Sequence, residues 1–148
     1  MEQETGGTGL GHRSVGLTRV SKGVFDVTNV RGGVMRIGGG ETSDFTPVEL
    51  FLAAIAGCSA VDVDFITAKR AEPESFTVEM SGEKLRDEQG NHMGGLTMRF
   101  SVTFPEGEGG DRAREMLPKA MEMSHDRLCT VSRTVQLGEP IDVGLAQD

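Results

Sequence analysis

The sequence predicts an α+β protein in which antiparallel sheets pack around one long central helix. Three features predict it: short alternating segments on both sides of residues 46–70, a run apolar on every side within that stretch, and an amphipathic pattern towards the C-terminus. The central helix has no polar face to give to solvent, and a helix apolar all round is buried. At roughly 24 residues and about 1.5 Å per residue it reaches about 36 Å, too long for a chain of this size to cover alone. A homodimer follows as an expectation.

Residues 1–14 are polar and glycine-rich and are expected to form a flexible tail, with residues 15–148 a single domain. Residues 15–27 and 30–37 are expected as strands, with Arg31, Gly32 and Gly33 marking a turn or bulge. The helix opens at Thr46-Pro47-Val48-Glu49, with Thr46 as N-cap, Pro47 in the first helical position and Glu49 completing a capping box. Strands are expected over residues 76–80 and 96–104, with a turn at residues 87–91. Residues 111–125 place Ala113, Met116, Leu117, Ala120 and Met121 on one helical face, and Pro118 predicts a kink or break there. A short helix is expected over residues 128–135 and a last strand at residues 141–143.

Composition narrows the function. The chain has 148 residues, one domain or one protomer, and a net charge of −8. Nucleic-acid binding needs a basic surface, so the sign is wrong, and an anionic membrane surface is disfavoured for the same reason. No run of about 18 apolar residues predicts a membrane span. Met1-Glu2-Gln3-Glu4 lacks the basic and apolar regions of a signal peptide, so a cytoplasmic location is expected. There the two cysteines stay reduced rather than forming a permanent structural bridge.

Those cysteines, Cys58 and Cys129, stand 71 positions apart. No CxxC exists, and His12, His92 and His125 do not fall at metal-ligand spacing; His125 lies four residues before Cys129, a two-ligand site at best. A cysteine in an apolar helix commonly serves as a small core residue. Around Cys58, however, Gly57, Ser59 and Ala60 are all small, and glycine costs a helix interior about 1 kcal/mol. Small neighbours in an otherwise bulky helix suggest that something approaches the sulfur. Cys129 falls near a helix start, where the helix dipole favours a thiolate.

The string from Thr46 to Cys58, TPVELFLAAIAGC, resembles the cysteine helix of the OsmC/organic hydroperoxide resistance family. Leu128-Cys129-Thr130-Val131-Ser132 resembles that family's second cysteine site, and Arg19-Val20-Ser21-Lys22-Gly23 its N-terminal strand with an arginine before a glycine turn. The resemblance covers roughly residues 15–143.

The resemblance implies an OsmC-like fold in an intertwined homodimer with its sites at the interface. It implies a peroxidase reducing organic hydroperoxides, with Cys58 peroxidatic, Cys129 resolving and Arg19 the activating cation; Arg31 and Arg36 are fallbacks. It implies an external dithiol reductant, often a lipoylated protein, and no metal, flavin or haem cofactor. A thiolate is the attacking species, and burial in an apolar helix opposes it, so a cation is needed. The family's peroxidases carry a glutamate one place before Glu49, where this chain has Val48. Glu49 lies on the far side of the helix from Cys58 and reads as a cap. Asp62, four residues past Cys58, shares its face and either orients the arginine or raises the thiol pKa. The competing reading is a non-catalytic, stress-associated binding protein of the same fold.

Overall fold

The computed structural model describes residues 9–146; residues 1–8 of the expected tail and residues 147–148 lie outside them. Residues 9–14 are exposed and belong to no helix or strand. The fold is α+β with antiparallel sheets, in two compact units that meet in sequence between Phe51 and Leu52.

The first unit is an antiparallel sheet of β1 (Gly16–Ser21), β2 (Val24–Thr28) and β3 (Val34–Ile37), in that order. Residues 15–27, expected as strand throughout, fold back on themselves at Lys22 and Gly23. The glycine adopts φ +73°, a conformation that side chains disfavour. The Arg31–Gly33 turn forms as expected. The Asn29 carboxamide oxygen accepts from the N–H groups of Arg31 (2.9 Å) and Gly33 (3.0 Å).

Helix α1 (Pro47–Thr67) starts in this unit on the capping box its sequence announces. The Glu49 N–H donates to Thr46 Oγ1 (3.3 Å), and Glu49 Oε1 accepts from the Thr46 N–H and hydroxyl (both 2.9 Å). The backbone and side-chain bonds from Thr46 hold the Glu49 carboxyl below its ordinary value. A depressed carboxylate stabilises above its unfolded pKa of about 4.3, and that contribution is lost as pH falls through the lower folded value. The thermal-stability gap between wild type and Glu49→Gln should therefore be full at neutral pH and close on acidification. A gap independent of pH would refute the cap.

In the second unit α1 buries a single stripe, Ile55, Ser59, Val63 and Thr67, one residue per turn. Its other side leaves Ala54, Gly57, Val61 and Phe65 exposed, Phe65 at 59%. By length and composition α1 could cross a bilayer, which the apolar-run criterion did not anticipate. It also carries Asp62 and Asp64, and one stripe of it is buried against protein.

Strands β4 (Ser75–Asp87) and β5 (Gly90–Thr103) form one long antiparallel hairpin. It extends well beyond the two expected segments. Asp87 Oδ1 accepts from the N–H groups of Gln89 (2.8 Å) and Gly90 (3.1 Å) and so fixes the turn. A bulge between Ser81 and Glu83 re-registers the pair.

Helix α2 (Glu108–Met123) runs through Pro118 as one element, so of the kink or break expected there the break does not occur. Buried Ala113 and Ala120 on either side of the proline hold the helix against the core despite the missing N–H. Near its start, the Arg114 guanidinium donates to the carbonyls of Phe104 (2.8 Å) and Pro105 (2.9 Å). There the backbone of Gly110 passes so close to Pro105 that an added Cβ would lie 1.7 Å from the proline carbonyl oxygen.

A π-helical turn (Ser124–Leu128) follows, then α3 (Thr130–Leu137), which ends on Gly138 at φ +64°. Residues 139–146 form no element, so the expected strand at residues 141–143 is absent. Ile141 and Val143 are 87% and 88% exposed, and no strand within the described residues offers them a ladder.

Candidate functional site: a paired thiol

The structure brings Cys58 and Cys129 together in the second unit, both as free thiols. Cys129 is 1% exposed and Cys58 half-buried. Cys129 is the N-cap of α3. Its sulfur accepts from the Ser132 N–H (3.4 Å) and lies 3.2 Å from the Ser132 hydroxyl. Burial pushes this thiol up, but bonds from the Ser132 hydroxyl and N–H, from Cys58 and from the Ser59 hydroxyl outweigh it, and the net shift is downward.

Cys58 shifts the other way. Burial raises its pKa most, and the Cys129 sulfur and the Asp62 carboxylate raise it further, while the Val131 N–H lowers it. Within the pair, the surroundings disfavour the thiolate at Cys58 and favour it at Cys129. The sequence argument allowed Cys58 no help from a helix end, because it lies mid-way along α1. The structure supplies the N-terminus of a different helix, α3, through Val131.

Asp62, expected either to orient an arginine or to raise the thiol pKa, does the second and also accepts from the Ser124 hydroxyl at 3.0 Å. Glu49 serves the capping box in the first unit. Arg19 is exposed on β1 in that unit, cross-strand from Phe25. Arg36 is held by Asp26 (2.9 and 3.2 Å). Sequence reasoning missed Ser59, Ser132, Ser124 and the Val131 N–H. Only Ser132 carried a local signal, since a residue three places after an N-cap faces it.

Beside the pair, a cleft of about 430 Å³ opens in the second unit. Ile55, Met80, Leu96 and Phe100 form apolar walls, and Ser59 and Ser132, whose hydroxyls meet the Cys129 sulfur, line it too. His125 also lines it. Among the described residues, no group of three or more His, Cys, Asp or Glu side chains is placed to hold a metal ion.

Fold and site together define a class: an α+β protein with two neighbouring free cysteines, one on a long apolar helix and one at the start of a short helix. The chain belongs to the OsmC-like protein family, whose model matches residues 38–144. Among solved structures it is similar to an OsmC-like protein of unknown function from Vibrio cholerae, with 17% identity over 86% of this chain and 95% of that one and a TM-score of 0.71. A hypothetical protein from Aquifex aeolicus matches with 21% identity over 86% and 89% of the two chains and a TM-score of 0.69. An organic hydroperoxide resistance protein from Elizabethkingia anophelis matches with 17% identity over 84% and 89% and a TM-score of 0.53. A search of curated proteins gave no match.

Proposed function

We propose that the protein is a thiol-dependent peroxidase that reduces organic hydroperoxides to alcohols. The observation that carries this reading is that two free thiols, far apart in sequence, come close enough at the start of α3 to shift each other's pKa. The Cys58 thiolate attacks the terminal peroxide oxygen. The O–O bond breaks, Cys58 becomes a sulfenic acid, and the alkoxide takes a proton and leaves as alcohol. The Cys129 thiolate then attacks the Cys58 sulfur and expels hydroxide, which is protonated to water as the disulfide forms. An external dithiol, such as a lipoylated protein, reduces the bridge by exchange and is itself oxidised. No metal or organic cofactor takes part.

Their different environments suit the two sulfurs to different steps. Cys58 is the more accessible and meets the peroxide, while buried Cys129, acidified by its N-cap position, is already poised to resolve. The apolar cleft suits the alkyl part of an organic hydroperoxide. Arg19 is the proposed activating cation, on the family resemblance. The exposed stripe through Val61 and Phe65, and a Gly57 whose missing Cβ would meet nothing within 4 Å, support a second copy of the chain covering α1 in a homodimer. Free thiols in this arrangement suit the reducing cytoplasm, with residues 15–148 acting as one domain.

One finding favours the alternative, a non-catalytic, stress-associated binding protein: the Cys58 thiol is shifted away from its reactive form. Mass spectrometry after one equivalent of cumene hydroperoxide separates the two readings. A Cys58–Cys129 disulfide is expected at once. Thiols that stay free would leave the binding protein as the better account.

A further inference from the structure

We propose that Asp62 and Ser124 are positioning residues for disulfide closure, fixing where Cys129 stands relative to Cys58. This rests on the peroxidase reading and concerns only its second step. Ser124 is fully buried, and its hydroxyl donates to Asp62 Oδ2 at 3.0 Å. Asp62 lies one turn past Cys58 on the same face of α1. Ser124 also opens the π turn, and its carbonyl accepts the Cys129 N–H at 2.9 Å. A single residue thus holds the first thiol's helix by its side chain and the second thiol by its main chain.

The π turn gives this link its geometric meaning. Its five-residue hydrogen bond inserts one residue beyond α-helical spacing before Cys129. In a regular helix the same position would be rotated by about 100°. Such a wide turn keeps its shape only where its surroundings hold it, and the Asp62 carboxylate is one such hold on Ser124. A hydroxyl bonded to an ionised acceptor is among the stronger side-chain links. It joins residues 62 positions apart in sequence. If the link were a stability element alone, its loss would lower the melting temperature and leave the chemistry's two steps in proportion. As a positioning element it affects one step and spares the other.

The test is rapid-mixing kinetics with cumene hydroperoxide on the full chain, which separates Cys58 oxidation (dependent on peroxide concentration) from closure (independent of it). In Ser124→Ala, oxidation should stay within about twofold of wild type while closure slows about tenfold or more, as expected when a reacting atom is displaced by a fraction of an ångström. In Asp62→Ala closure should slow as much, while oxidation speeds because the charge that raises the Cys58 pKa is gone. The stalled sulfenic acid should then advance to sulfinic acid at Cys58 under excess peroxide, visible by mass. Asp62→Asn keeps an acceptor oxygen for Ser124 and should restore fast closure. Closure at the wild-type rate in folded alanine variants would overturn the proposal, and so would loss of the fold in both. Failure of wild type to form any disulfide would instead overturn the peroxidase reading beneath it.

Discussion

Cys58→Ser is expected to lower consumption of organic hydroperoxide by about three orders of magnitude, because no other group supplies the attacking sulfur. Cys129→Ser is expected to behave differently: a first equivalent of peroxide is still reduced, and turnover then stops at the sulfenic acid. The contrast follows from the proposed roles: Cys58 is half-buried and would meet the peroxide, while Cys129 is buried beside it. The first-step rate should also rise with pH through the alkaline range. Burial holds the Cys58 thiol above its ordinary value of 9.0, so its thiolate fraction keeps growing beyond that point. Peroxide consumption in the two variants, and in wild type across pH, checks each statement. Equal loss in both variants from the first equivalent onward would be incompatible with the assigned roles.

Gly110→Ala should be the most destabilising small substitution in the second unit. The new methyl group would sit 1.7 Å from the Pro105 carbonyl oxygen, a backbone atom that cannot swing aside and that the Arg114 guanidinium also holds. Overpacking of this severity costs about 3 kcal/mol or more. At about 2–4 °C per kcal/mol for a domain of this size, the melting temperature should fall by about 6–12 °C. A thermal melt within about 2 °C of wild type, the shift expected of an ordinary surface change, would show that the α2 entry relaxes freely.

How much could be read from the residues depended on the range of the forces involved. The α1 start was legible because Thr46, Pro47 and Glu49 interact within one turn, and the structure shows the reciprocal bonds. The β4–β5 hairpin was only half legible. Gly82, Gly94 and Gly95 interrupt the apolar alternation, and what carries the ladder onward is cross-strand pairing, including the Ser81–Thr97 hydroxyl contact at 2.9 Å. No break forms at Pro118 because local propensity yields to packing at Ala113 and Ala120. The strand expected at residues 141–143 had the right pattern, but Ile141 and Val143 stay exposed and pair with no strand among the described residues.

The site divides the same way. Two cysteines in small-residue surroundings marked themselves out, and the family resemblance paired them. The donors that set their acidity did not, because Val131 reaches Cys58 and Ser124 reaches Asp62 only after distant segments have folded together.

Because the first N–H groups of α3 point at both sulfurs, oxidation leaves those donors facing a neutral bridge where reduction gives them an anionic acceptor. The reduced state is thereby favoured, as in strongly oxidising dithiol proteins. On the peroxidase reading, such a bridge would hand its oxidising equivalents on readily, and a modest reductant would suffice to reset the pair.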